Sequence, residues 1–148
     1  MDRLVLLIDD DDDHAELVRR AFARHGSGHA LVRFLDGEQA VASLSSSCDG
    51  DGPLPRVPDV VLLDLRLPRI SGLEVLRHIR ASSDLRYIPV VVFSTSDAPT
   101  DIASAYEGGA NAYVVKPGTF SRFREVLRDL SQFWLACNRS PHGTVQGP

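Results

Sequence analysis

The chain has 148 residues, 43% of them hydrophobic and 24% charged, with a formal net charge of −4. This composition excludes a disordered chain and fits one domain with a core of ordinary size. The acidic balance argues against non-specific nucleic-acid binding, which needs a basic surface.

Met1-Asp2-Arg3 leads straight into an apolar run, Leu4–Ile8, with no signal-peptide pattern. That run is the first expected strand, and it ends on five carboxylates, Asp9 to Asp13. A helix is expected from about Asp13 to His25, because Asp13 and Glu16 have capping-box spacing and Gly26-Ser27-Gly28 ends it. Ala30–Phe34 reads as a second strand, and Asp36-Gly37 opens a helix carrying Ala40, Val41 and Leu44. From Ser45 to Pro58 the composition of Ser, Gly, Asp and Pro indicates a loop. Val60–Leu63 is a run buried on both faces, hence a central parallel strand; it ends at Asp64, and Pro68 stops the ladder. Ser71 and Glu74 cap a helix to about Ala81. A fourth strand, Ile88–Phe93, ends on Ser94-Thr95-Ser96. Pro99 suits the first turn of a helix that runs to Glu107 and stops at Gly108-Gly109. Ala112–Val115 is a fifth strand ending on Lys116-Pro117, and an amphipathic helix follows from Phe120 to Ala136. Residues 138–148 read as a flexible polar tail after a domain spanning 1–137. Apolar strands alternating with helices call for an α/β three-layer sandwich, its parallel five-stranded sheet covered on both faces. No apolar run approaches a membrane span, and Cys48 and Cys137 lie in no metal spacing; a cytoplasmic protein with plain thiols and no membrane contact is expected.

Right-handed crossovers bring the ends of strands one, three, four and five to one edge of the sheet. The residues there are Asp9 and Asp10, Asp64, Ser94 and Lys116. Clustered carboxylates repel unless a cation neutralises them, and oxygen ligands suit Mg²⁺. A hydroxyl and an ammonium facing the same point suit phosphoryl oxygens. The residues alone therefore indicate a Mg²⁺-dependent site for phosphoryl chemistry.

From Leu4 to Trp134 the chain resembles the receiver domain of two-component response regulators, the CheY-like family. Five motifs carry the resemblance, in order: the acidic pair Asp9-Asp10, Asp64 within Leu-Leu-Asp-Leu-Arg-Leu-Pro-Arg-Ile-Ser-Gly, Ser94 thirty positions later, Tyr113, and Lys116-Pro117. It implies a flavodoxin-like (βα)5 fold with strand order 2-1-3-4-5. It implies Asp64 as the phosphoacceptor from a sensor histidine kinase. Mg²⁺ would be held by Asp10, Asp64 and the backbone carbonyl of Arg66, with Asp9 acting through water. Lys116 and Ser94 would bind the phosphoryl oxygens, Tyr113 would turn with Ser94 as a switch, and the Lys116–Pro117 bond would be cis. The Ser94-Thr95-Ser96 triplet, the 45–58 loop and the Gln132-Phe133-Trp134-Leu135 ending resemble single-domain regulators paired with bacterial phytochrome kinases. That implies a bacteriophytochrome as the kinase. It also implies a homodimer through the fourth helix, fifth strand and last helix, with Phe133 and Trp134 as anchors.

Plainer readings stand beside these. Capping accounts for Asp12 and Asp13 better than metal binding does, and Asp11 fits either role. Thr95 and Ser96 are as polar as Ser94, and only spacing selects Ser94. Tyr113 reads equally well as a packed strand aromatic. The five histidines, His14, His25, His29, His78 and His142, form no metal spacing and read as surface residues. Thr95, where many receivers carry Ala or Gly, should narrow access to Asp64. A pseudo-receiver that signals by contact alone is the alternative. An aspartyl-phosphate phosphatase is disfavoured, because it wants a carboxylate where Arg66 stands. The expectation is a phosphoacceptor signalling protein, not an enzyme.

Overall fold

The computed structural model describes residues 2–25 and 28–141. Five strands, β1 (Leu4–Ile8), β2 (Ala30–Phe34), β3 (Val60–Leu63), β4 (Val90–Ser94) and β5 (Ala112–Val115), alternate with five helices. These are α1 (Asp12–Ala23), α2 (Gly37–Ser47), α3 (Gly72–Ala81), α4 (Pro99–Glu107) and α5 (Phe120–Ser131), the last continued by a π-helical turn, Gln132–Cys137. The sheet is parallel with order β2-β1-β3-β4-β5, as expected.

The unbroken apolar runs make sense in this sheet, because alternate side chains enter two different cores. Leu4, Leu6, Ile8, Val61, Leu63, Val90 and Val92 meet Ala40 and Leu44 of α2, Val75, Leu76 and Ile79 of α3, and Ala105 of α4. Val5, Leu7, Val60, Leu62, Val91 and Phe93 meet Ala15, Val18 and Phe22 of α1 and Phe123, Leu127 and Leu130 of α5. Each fully buried aliphatic side chain contributes about 1.5–3 kcal/mol relative to exposure.

The helix starts agree with the expected caps at Asp36 and Ser71, which accept from Gln39 N and Glu74 N. At α1 the cap differs. Asp11, not Asp13, accepts from His14 N at 3.0 Å, which places Asp12 and Asp13 in the first turn. α1 stops at Ala23 with Arg24 as its cap; of the expected stop Gly26-Ser27-Gly28, Gly26 and Ser27 lie outside the described residues. The 45–58 segment is not all loop: α2 runs on to Ser47, and Leu54 is fully buried in the α2/α3-side core. β4 begins at Val90 rather than Ile88, because Ile88 N closes a turn on Leu85 O.

The last helix is not uniform. After Ser131 it widens into the π turn, and Trp134 and Leu135 both reach the α1/α5-side core while Phe133 is left 49% exposed. Trp134 is thus an internal packing residue in the monomer, and Phe133 is the accessible aromatic of the expected pair. Of the expected tail, residues 138–141 are described: Asn138 O accepts from the Arg3 guanidinium at 2.8 Å, and Ser140 is buried.

Candidate functional site: an acidic cluster held by Lys116

The register of the sheet sets the site. β1 and β3 run level, Ile8 beside Leu63, so Asp9 and Asp64 leave adjacent strands at the same height. Asp64 N donates to Ile8 O at 2.9 Å and Asp9 N to Phe34 O at 3.1 Å, which fixes both backbones. Ser94 ends β4 opposite Val115, and Lys116 N donates to Ser94 O at 2.7 Å. The backbones of Asp9, Asp64, Ser94 and Lys116 therefore leave the sheet at the same end.

Asp9, Asp10 and Asp64 each bring one carboxylate oxygen within 4.8 Å of the others. Asp9 is buried, Asp64 half-buried and Asp10 exposed. The Lys116 ammonium is the buried counter-charge, 2.7 Å from Asp9 Oδ2 and 3.1 Å from Asp64 Oδ2. Burial pushes the Asp9 carboxyl above the usual carboxylate range; Lys116 and the Asp11 backbone N–H oppose that, and the charge on Asp64 adds to it. Asp10 has no ion-pair partner among the described residues. Three convergent carboxylate oxygens with one open, solvent-facing member fit a hard, partly hydrated divalent cation.

The backbone around Asp64 is shaped by a close approach. Arg66 N donates to Asp64 Oδ1 at 3.2 Å, and Gly72 N to Leu65 O at 2.9 Å. A Cβ on Gly72 would lie 2.7 Å from Leu65 Cα, so the segment after Asp64 can fold back onto α3 only over a glycine. Arg69 sits at φ 73, and its guanidinium faces Asp36 and Glu38.

Ser94 is fully buried. Its Oγ accepts from Ser96 N at 3.2 Å, and the Tyr113 hydroxyl donates to Ser96 O at 2.8 Å. Ser96 Oγ in turn donates to Asp101 of α4 at 2.5 Å. Ser96 therefore links the Ser94 hydroxyl to the strand tyrosine and to α4, while Thr95 beside it is exposed. Two residues without a role in the sequence reading belong to this constellation, Ser96 and His14. His14 Nδ1 lies 3.0 Å from Lys116 Nζ. The four described histidines are half-buried, and each has a polar partner: besides His14, His25 meets Ser131 Oγ, His29 accepts from Arg3 N, and His78 meets Ser45 Oγ; His142 lies outside the described residues. Arg33 also escaped notice; it holds the Asp9 carbonyl at 3.0 Å and pairs with Asp12 at 2.9 Å. Every described peptide bond is trans, Lys116–Pro117 included, so the cis bond implied by the resemblance is absent. The trans preference before proline is small, and sequence alone fixes neither form.

Residues 5–128 match the family described as the response regulator receiver domain. The chain belongs to that family. It is 41% identical over 138 residues to the probable methanogenesis regulatory protein FilR2 of Methanothrix harundinacea, covering 93% of this chain and 87% of FilR2. Its fold superposes on the phosphorylated cyanobacterial phytochrome response regulator RcpA with a TM-score of 0.87 at 33% identity, covering 95% of this chain and 99% of RcpA. It superposes on the Mn²⁺-bound form of the response regulator Rcp1, a protein of Synechocystis, with a TM-score of 0.83 at 31% identity, covering 94% and 99%. The chain is thus a two-component receiver related to phytochrome response regulators. Among the described residues no helix is long and apolar enough to cross a membrane.

Proposed function

We propose that this receiver takes a phosphoryl group from a sensor histidine kinase onto Asp64, with Mg²⁺ held by Asp10, Asp64 and the Arg66 carbonyl and with Asp9 acting through water. The observation that carries this reading is Lys116 bridging Asp9 and Asp64 at the edge where the three carboxylates converge. An Asp64 oxygen attacks phosphorus, the new P–O bond replaces the P–N bond of the kinase phosphohistidine, and the imidazole leaves with the electron pair. When bound, the metal supplies positive charge to the phosphoryl oxygens. Lys116 shifts from the Asp64 carboxylate to a phosphoryl oxygen, and the Ser94 hydroxyl donates to another. That move draws Ser94 away from Ser96 N and loosens the Ser96 carbonyl that holds Tyr113, so the strand tyrosine reorients with the acyl phosphate. The likeness to RcpA, a phytochrome response regulator, supports a bacteriophytochrome as the kinase.

The signal leaves by contact. Tyr106 of α4, Val115 of β5 and Phe133 after α5 are exposed apolar residues on the three elements expected to self-associate. A two-fold interface through this face uses Phe133 as its anchor, Trp134 supporting it from inside at 4.9 Å between ring centroids. Beryllofluoride with MgCl₂, followed by amide NMR, tests the site: shifts at Asp64, Ser96 and Tyr113 are expected. A spectrum that does not change at those amides would make the chain a pseudo-receiver. Sedimentation of wild type and Phe133→Ala with and without beryllofluoride tests the interface.

A further inference from the structure

The Lys116 side chain is 1% exposed, and a buried ammonium has three N–H donors to satisfy. Its three acceptors are Asp9 Oδ2 at 2.7 Å, His14 Nδ1 at 3.0 Å and Asp64 Oδ2 at 3.1 Å. Two of these are carboxylates of the acidic cluster. The third is a ring nitrogen on α1. For Nδ1 to accept from an ammonium, the ring proton must sit on Nε2. Asp11 Oδ2 lies farther from the same nitrogen, at 3.4 Å, so the geometry favours the tautomer that accepts from the lysine. The ring is also fixed in place. It lies 5.0 Å from the Phe123 ring at a 32° tilt, and the His14 backbone is pinned by the Asp11 cap.

A metal ion and Lys116 draw on the same carboxylates. An oxygen-seeking cation attracts Asp9 and Asp64 but not a nitrogen already engaged by an ammonium. Resting on the phosphoacceptor reading above, we propose that His14 is a positioning residue. Its Nδ1 keeps the Lys116 ammonium beside Asp64 when the carboxylates turn to a metal ion. His14 touches neither the phosphoryl group nor the metal; it acts through Lys116. Without it, one donor of a buried ammonium is orphaned and the ammonium relaxes toward Asp9, away from the incoming phosphoryl oxygen.

Two variants separate this role from packing. His14→Leu fills the space against Phe123 without an acceptor, whereas His14→Asn returns an oxygen close to the Nδ1 position. Uptake of a phosphoryl group from acetyl phosphate with MgCl₂ is expected to be about tenfold slower in His14→Leu, the loss of one hydrogen bond to a charged group, and restored to within about twofold in His14→Asn. In the metal-free wild type, ¹⁵N NMR of the imidazole is expected to show Nε2 protonated and Nδ1 accepting. This readout does not depend on any variant folding. A ring with its proton on Nδ1 overturns the proposal. So does wild-type uptake in His14→Leu while Asp64→Asn takes up nothing, an outcome that leaves the site reading intact. Wild-type uptake in Asp64→Asn instead removes the site reading, and the role of His14 with it.

Discussion

Lys116 lies closer to Asp9 than to Asp64, 2.7 Å against 3.1 Å, although Asp64 is the expected phosphoacceptor. The tighter pair is also the more deeply buried one. On the proposed reading, Asp9 is the anchor that holds the lysine in the site, and Asp64 is the partner it releases. This division lets an ammonium leave one carboxylate for a phosphoryl oxygen without leaving the site.

Replacing the lysine removes the one cation between two buried or half-buried carboxylates. Lys116→Met is expected to destabilise the metal-free protein by about 3 kcal/mol, the scale for breaking a buried ion pair. MgCl₂ should recover part of that loss, because a divalent cation also neutralises the cluster. Urea denaturation of both proteins with and without MgCl₂ measures both quantities.

Gly72 closes the loop that carries Asp64 onto α3. On a free helix Gly→Ala is stabilising by about 1 kcal/mol. Here the new Cβ would meet Leu65 Cα at 2.7 Å, so Gly72→Ala is expected to lose about 2 kcal/mol, as overpacking does. Chemical denaturation checks the sign. The same variant should slow phosphoryl uptake, since the backbone it displaces is the one after Asp64.

The Ser94–Ser96–Tyr113 chain has its own test. Tyr113→Phe removes the hydroxyl that donates to Ser96 O at 2.8 Å and is expected to cost about 1 kcal/mol. It should leave phosphoryl uptake unchanged while moving the Ser96 amide resonance, because Ser96 is held on its other side by Ser94 Oγ. An unmoved Ser96 amide would detach the tyrosine from the site.

Most of the candidate site's placement was legible because the candidate residues follow the ends of apolar strand runs, and parallel topology then brings the run ends together. What was not legible had no pattern to mark it. Five consecutive aspartates offer five candidate caps, and the entry angle of α1 selects Asp11. Phe133, Trp134 and Leu135 are all apolar, so the side that faces inward depends on a π turn that leaves no trace in residue type. His14 is a lone histidine in the first turn of a helix, and only the reach of Lys116 from the end of β5 gives it a partner in the site. Ser94 and Ser96 look alike in sequence, and only the structure shows that Ser96 lies between Tyr113 and α4.

Acid titration should reach the Glu16 pairs of α1 late. Glu16 is bonded to Arg19 and Arg20, and those hydrogen bonds lower its carboxyl to about 2. A folded-state pKa depressed below the unfolded value means that the stabilisation is present above the unfolded range, near 4.5, and is lost as pH falls toward 2. The pairs are exposed, so the effect on stability is small and salt-sensitive. NMR titration of the Glu16 carboxyl should give a midpoint of about 2 in the wild type, and a return toward the ordinary range in an Arg19→Ala, Arg20→Ala double variant.

The most direct measurement is intact-mass analysis after incubation with a small phosphodonor and MgCl₂. The wild type is expected to gain one phosphoryl group, and Asp64→Asn to gain none. Labelling of Asp64→Asn at the wild-type rate would contradict the assignment of Asp64 as the phosphoacceptor.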